Sequence, residues 1–301
     1  MDIAFTPRVD KHGIRGQVSG SDPELKVRDM LVLKLGGDLI ESGDDLKRVA
    51  GDLAKAAERQ PTVVVHGGGH EIDAEMKRVG IRKQAVDGLR ITDESTLEVA
   101  ISVLAGRVNT RLVAAVNAAG RPAVGLTGAD GGIGLAELAP PYRTNAGHVV
   151  QLGLVGDPVA TAPPKLLSQL VHAGYTPIIA SIGVTRDGQL VNVNADALAA
   201  QLAVNLHATT LMVAGTTAGV LDIDQRPLTR LGDEDIERLV SDGAISAGMV
   251  TKLASCRAAR RGGVQNVRII DGRTGLDVNT VTGTVIDTAM QSSLQKERVK
   301  L

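Results

Sequence analysis

The sequence predicts an α/β fold organised around a parallel sheet, from two copies of one pattern and the segment that joins them. Leu31–Leu35 reads as a short apolar strand interrupted only by Lys34, and it runs directly into Gly36 and Gly37. Val63–His66 is a second apolar strand, and it runs into Gly67, Gly68 and Gly69 and then a polar helix. Between the two, Leu46, Val49, Ala50, Leu53 and Ala57 recur at three and four residues, the spacing of a helix face laid on a sheet. A crossover of that length is what parallel pairing requires. Backbone without Cβ atoms lets a ligand come close, so both strands are expected to open onto one anion-binding crevice at the carboxyl edge of the sheet. Lys34 already stands in it.

The chain's 301 residues suffice for one large or two modest domains with a sizeable core. Hydrophobic residues make up 43%, yet Phe5, Tyr142 and Tyr175 are the only aromatics, so the core must be aliphatic and no base-stacking platform is available. Lys plus Arg (33) balances Asp plus Glu (34), which suits a small charged substrate and gives no reason to expect nucleic acid. Cys256 stands alone, which excludes a disulfide framework and argues for a reducing compartment. In a helix followed by arginines, it reads as an inert, half-buried thiol ahead of a reactive one. No stretch reaches the ~18 apolar residues of a membrane helix, and the N-terminus lacks the apolar core of a signal peptide. A cytoplasmic protein with no membrane partner is expected.

Residues 1–29 show no sustained period and read as an irregular extension. After the second glycine run, Ile72, Met76 and Val79 mark a helix that ends near Gly80. The polar stretch Asp87–Thr92 follows, and Thr92 or Asp93 can cap a long helix whose stripe includes Leu97, Ile101, Leu104, Val108 and Leu112. Arg90 therefore sits just before a helix N-terminus, where guanidinium and free N–H groups can together hold a carboxylate. Taken singly, such an arginine is read first as half of a surface ion pair.

A strand at Pro122–Leu126 and a loop at Thr127–Gly132 come next. Leu135–Val159 is broken by Pro and Gly and suggests hairpins covering something. A helix near Pro164–Ala173 and a strand at Thr176–Ala180 restore the alternation. Asn192, Asn194 and Asp196 then open a small-residue helix running to about Leu206, as ordinary caps or as a polar anchor for a substrate. Strands at Thr210–Ala214, Val267–Ile270 and Thr280–Ile286 and a helix near Asp233–Val240 form a second block. In it Lys252 is placed at or near the start of a helix extending to about Arg261, a position that favours a shared anion.

Neither the P-loop nor the dinucleotide-binding glycine pattern is present, and no cluster has metal-ligand spacing; His66 and His70 flank a loop and make a poor zinc pair. Two lysines, an aspartate and glycine-lined helix starts are what phosphoryl transfer to a carboxylate needs, since that nucleophile is ionised at neutral pH and requires no general base.

Lys34-Leu-Gly36-Gly37, His66-Gly67-Gly68-Gly69, Asp87-Gly88-Leu89-Arg90-Ile-Thr92, Gly125-Leu-Thr-Gly128-Ala-Asp130-Gly131, Gly153-Leu-Val-Gly156, Asn192-Val-Asn194-Ala-Asp196 and Gly248-Met249-Val-Thr-Lys252 occur in this order. Together they resemble the acetylglutamate kinases, a branch of the amino acid kinase family, over roughly residues 30–286. The resemblance implies an open, mainly parallel sheet of about eight strands sandwiched between helices. It implies a substrate lobe at 30–206, an ATP lobe at 207–287 and a tail at 288–301. Lys34 and Lys252 would stabilise the transferring phosphoryl from opposite sides, and Asp196 would hold both lysines. Gly36, Gly37, Gly67, Gly68 and Gly69 would offer backbone donors to the phosphoryl and the γ-carboxylate. Arg90 and Asn192 would grip the α-carboxylate and amide of N-acetyl-L-glutamate. Mg2+ would ride on the ATP phosphates, largely without side-chain ligands.

Three departures from the family pattern stand out. Val213–Leu221 lacks the acidic residue usual before the Gly-Val-Leu of the nucleotide lobe, so altered nucleotide affinity or selectivity is expected. His70 replaces the usual proline after the glycines. Features of arginine-inhibited members are missing from the N-terminus and from Asp271–Thr284, so a homodimer without strong arginine feedback is expected. The competing readings are a kinase for a carrier-linked aminoadipate or glutamate, with Arg78, Arg82 and Lys83 as a basic rim, and a sensor of the same fold without catalysis.

Overall fold

The computed structural model describes residues 29–144 and 146–287; the expected tail at 288–301 and the extension before residue 29 lie outside the described residues. Strand β1 (Leu31–Leu35) alternates as a strand between two helical layers must. Leu31, Leu33 and Leu35 enter one apolar cluster and Val32 enters the other. Strand β2 (Thr62–His66) repeats the division, with Val64 on one side and Val63 and Val65 on the other. Helix α1 (Gly43–Arg59) links the two, started by Ser42, whose hydroxyl accepts from Asp45 N–H. The pairing is parallel, as the crossover predicts.

The sheet continues through β3 (Ala123–Thr127), β4 (Thr176–Ala180), β5 (Thr210–Gly215), β6 (Arg230–Leu231), β7 (Asn266–Asp271) and β8 (Gly283–Ile286). These eight strands lie in the order β6-β8-β7-β5-β1-β2-β4-β3. All neighbours from β3 to β7 are parallel, whereas β8 runs antiparallel to β7 and parallel to β6. The open, mainly parallel sheet of the sequence reading is thus present, with the exceptions gathered at one edge. β6 was not foreseen: two residues are too short for any period to register.

One face of the sheet is covered by α1, α2 (Gly69–Arg78) and α3 (Glu94–Ala118), and the other by α4 (Lys165–His172), α5 (Ala195–Asn205), α6 (Asp233–Ser241) and α7 (Ala247–Arg261). Asp93 caps α3, its carboxylate accepting from Thr96 N–H. By length and composition α3 is apolar enough to cross a membrane, which corrects the expectation that no stretch would be. Its Val103, Leu104, Leu112 and Val116 are fully buried against the sheet.

The segment read as hairpins forms strands at Ala136–Leu138, Tyr142–Arg143, Val149–Val150 and Val155–Pro158. The first and last join Ile182–Val184 and Leu190–Val193 in a four-stranded sheet. In that small sheet the strand Ile182–Val184 begins two residues beyond the carboxyl end of β4, and Leu190–Val193 leads directly into α5. It brings Asn192 to the crevice side of the main sheet.

Candidate active site

β1 and β2 are adjacent and in register, with Lys34 opposite Val65 and Leu35 opposite His66, so their glycine loops leave the sheet side by side. The loops touch: a Cβ on Gly37 would stand 3.0 Å from Gly68 Cα, and one on Gly68 would stand 2.9 Å from Leu104 Cδ2. Glycine is required at both by close approach, not by a left-handed backbone.

An open cavity of about 300 Å³ lies above these loops. Lys34, Gly37, Gly67, Gly68, Gly69, Arg90, Asn192 and Asp196 all line it. The first turn of α2 opens into the cavity through Gly69, and its leading N–H groups have no intrahelical acceptor, which makes that end of the cavity attractive to an anion. Gly36 does not share this role. Its N–H donates to Ala214 O at 2.9 Å, fastening β1 to β5, so the expectation of a phosphate donor there is corrected. Gly67 lines the cavity, but its N–H reaches back to Leu35 O at 3.4 Å.

Lys34 Nζ is 3.0 Å from Asp196 Oδ1, and both side chains are about nine-tenths buried. Asp196 is the second residue of α5. Asn194 caps that helix, its Oδ1 accepting from Asp196 N–H at 2.8 Å and Ala197 N–H at 3.2 Å. Of the two readings left open for this junction, Asn194 is a cap and Asp196 faces the cavity.

Lys252 comes to the same place from the other half of the chain. A Cβ on Gly215, at the end of β5, would stand 3.6 Å from Lys252 Nζ. Burial and then the charge of Lys34 hold the Lys252 ammonium below the ordinary lysine value, opposed by Asp196. Lys252 does not begin its helix: Ser246 caps α7, which starts at Ala247, so Lys252 lies in the second turn. The helix-start argument for an anion is corrected, and proximity to Lys34 and Asp196 takes its place.

Arg90 lies in a two-residue strand, Leu89–Arg90, and is aimed by α2. Its Nη2 is 2.5 Å from Asp73 Oδ1 and donates to Gly69 O at 3.3 Å, and its Nη1 is 3.1 Å from Met76 Sδ. Arg90 is thus half of an ion pair, though not a surface one: its side chain is 13% exposed and lines the cavity. Burial raises the Asp73 carboxyl, but hydrogen bonds from Lys83 and Arg90 outweigh it and hold the group below the ordinary carboxylate value. Asn192 donates from Nδ2 to Thr92 Oγ1 at 3.2 Å, which fixes its amide across the cavity.

Sequence reasoning missed two contributors. Asp73 orients Arg90, and only the fold brings them together. Leu104 packs on Gly68 from a π-helical stretch, Ser102–Val108, inside α3. Such stretches concentrate at functional sites, but the apolar spacing of α3 does not announce one. Elsewhere, Cys256 is fully buried and burial pushes its thiol well above the ordinary value, so it is inert. His66 and His70 point to different partners: His66 bonds Asn109 and Gly67 O, and His70 faces Asp38.

Residues 29–271 match the pattern of the amino acid kinase family. The chain is 39% identical to an acetylglutamate kinase from Rhodospirillum centenum over 249 residues, 81% of each protein. It is 37% identical to an acetylglutamate kinase from Methanococcoides burtonii over 252 residues, 81% of this chain and 82% of that relative. Among solved structures, smu.665 from Streptococcus mutans UA159 is similar with a TM-score of 0.72 and 27% identity, over 87% of this chain and 99% of that one. The N-acetylglutamate synthase from Neisseria gonorrhoeae complexed with coenzyme A and N-acetyl-glutamate has the same fold, with a TM-score of 0.73 at 23% identity, over 91% of this chain and 64% of that one.

Proposed function

Because the chain belongs to the amino acid kinase family, we propose that it is a kinase that phosphorylates the γ-carboxylate of N-acetyl-L-glutamate with ATP, giving N-acetylglutamyl 5-phosphate and ADP, a step of arginine biosynthesis. The observation that carries this reading is the Lys34–Asp196 pair on a glycine-lined cavity walled by Arg90 and Asn192, with Lys252 close enough to feel the charge of both.

The cavity suits a carboxylate and a phosphoryl group in line. Arg90, held by Asp73 and Gly69 O, takes the substrate's α-carboxylate, and Asn192, held by Thr92, takes its amide. The γ-carboxylate then lies over the glycine loops and the first turn of α2, already ionised. Lys34 from one side and Lys252 from the other stabilise the negative charge on the phosphoryl oxygens as it passes. Asp196 keeps the Lys34 ammonium from swinging away and offsets the repulsion between the two lysines.

The residues present fit a polyphosphate: one buried and one half-buried ammonium group, a helix N-terminus, and loops in which a side chain at Gly37 or Gly68 would collide with its neighbours. Asp196, a carboxylate lining the cavity, is engaged by Lys34, so Mg2+ would be held mainly by the nucleotide's phosphates and would supply charge neutralisation. In this reading residues 30–206 form the amino-acid lobe and 207–287 the nucleotide lobe, with the boundary in the turn between α5 and β5. A cytoplasmic homodimer without arginine feedback belongs to the same reading, on the resemblance alone.

The carrier-linked alternative is not favoured. Its basic rim is partly spent, since Arg78 is bonded to Glu75 at 2.5 Å and Lys83 to Asp73 at 2.7 Å. A silent sensor would have no need to keep two lysines within electrostatic reach of one aspartate. An ATP-dependent, hydroxylamine-reactive product from N-acetyl-L-glutamate tests the proposal.

A further inference from the structure

The turn after β1 and the start of α2 meet a second time, beside the glycine loops. Asp38, Glu41 and His70 come together there, and one ligating atom from each lies within 4.8 Å of the other two. His70 Nδ1 is 3.0 Å from Asp38 Oδ1 and 3.9 Å from Glu41 Oε2. Bonds of ~2.0–2.2 Å to a transition ion place adjacent ligand atoms about 3.0–3.5 Å apart, so the first separation is already that of a coordination edge. A small turn of the exposed Glu41 side chain brings the second into range.

We propose that Asp38, Glu41 and His70 form a binding site for a divalent transition ion of the zinc class, which clamps the two glycine loops together. One imidazole and two carboxylates are a donor set for zinc, manganese or cobalt. Magnesium prefers oxygen ligands and gives up water reluctantly. The ligands are mounted on a rigid frame, because Gly37 and Gly68 touch directly beneath them. Among the described residues, the nearby Arg111 donates to the Glu41 backbone carbonyl and not to its carboxylate. A third carboxylate adds to the field: Glu71 Oε2 is buried, has no hydrogen-bond partner among the described residues, and lies 3.2 Å from where a Cβ on Gly37 or Gly68 would stand. All three ligand side chains are more than half exposed, so an ion enters from solvent without any opening of the fold. The ligands adjoin the cavity, since Asp38 follows Gly37, His70 follows Gly69, and the charge of Asp38 reaches Lys252. Metal binding itself is read without any acceptor and stands whether or not that acceptor is N-acetyl-L-glutamate.

The test uses the full chain, stripped with a chelator and then dialysed, in buffer without ATP, which would itself bind the metal. Zinc chloride is titrated calorimetrically, and cobalt chloride is followed by its visible absorption. The expected result is a single ion per chain, a higher melting temperature with zinc, and no displacement by excess magnesium. His70→Ala should weaken zinc binding roughly tenfold or more and abolish the thermal shift, with Asp38→Asn and Glu41→Gln weakening it as well. These are surface changes, and equal melting temperatures without metal establish that the variants are folded. Absence of zinc binding by the wild-type chain, or unchanged binding by His70→Ala, would overturn the proposal.

Discussion

Lys34 Nζ and Asp196 Oδ1 stand 3.0 Å apart, joining the central strand of the sheet to the first turn of α5. The pair is mostly buried and a second ammonium, Lys252, is close enough to be perturbed by Lys34. Removing the carboxylate leaves two cations facing each other without compensation. Asp196→Asn should destabilise the free protein by about 3 kcal/mol, as expected when one partner of a buried pair is lost. An added polyphosphate should restore more of the melting temperature in this variant than in wild type, since the anion replaces the missing charge. Thermal melts with and without ATP check both statements.

Lys252 provides a pH signature. Its charged form is the functional one, and burial together with Lys34 lowers its pKa from the ordinary 10.5. Activity that depends on the ammonium is complete well below this lowered value and is lost as pH rises through it. The kcat/KM profile for ATP, which reports the free enzyme, should fall on its alkaline side below the range of an ordinary lysine. Lys252→Arg keeps the charge, so its lower activity should show no such limb. An identical limb in Lys252→Arg would assign it to another group.

The contact between Gly37 and Gly68 makes loop spacing a direct variable. A methyl at position 37 would press on Gly68 Cα at 3.0 Å and on Glu71 Oε2 at 3.2 Å. The neighbours must then give by a few tenths of an ångström, and since a misplacement of about 1 Å costs about 10²-fold in rate, a loss of about tenfold is expected. Gly37→Ala is therefore expected to lose kcat to about that extent, as measured by steady-state kinetics, while remaining folded by circular dichroism. Gly69→Ala is the control, because a Cβ there meets nothing within 4 Å.

His66 sets an acid limit to stability. Its Nδ1 bonds Gly67 O at 3.0 Å and its Nε2 lies 3.1 Å from Asn109 Nδ2, which also donates to Ile178 O at 2.9 Å. The neutral ring, with the proton on Nδ1, satisfies every partner, whereas a second proton would face the Asn109 amide. Burial, partly opposed by the Gly67 bond, lowers the pKa from 6.5 to about 4. The unfolded chain takes up the proton first, so this contribution is complete above pH 6.5 and is lost as pH falls toward about 4. The loss amounts to at most about 3 kcal/mol. Denaturant melts across this window should show the slope, and His66→Gln should flatten it.

Much of this was legible in the chain because the informative residues are local. Leu31–Gly37 and Val63–Gly69 declare strand and loop in consecutive positions, and α1 declares its buried face by spacing. Asp196 and Lys252 were picked out by their motifs, but only the fold shows why they belong together: α5 lies under β1 and β5, and α7 packs beside it under β7 and β8. What escaped was non-local or too short. Asp73 matters through Arg90, seventeen positions on; Leu104 depends on a π-helical stretch that leaves the apolar pattern of α3 intact. Gly36 was misread because a glycine after a strand looks the same whether its N–H faces a ligand or a neighbouring strand.

The most direct measurement is ATP-dependent acyl-phosphate formation, trapped by hydroxylamine as the hydroxamate, with N-acetyl-L-glutamate, glutamate, N-acetylaspartate and aminoadipate in parallel. The account predicts hydroxamate from N-acetyl-L-glutamate alone, reduced about 10²–10³-fold in Lys252→Ala by loss of one charge-stabilising group. No product from any of the four acceptors, or undiminished product from Lys252→Ala, would contradict it.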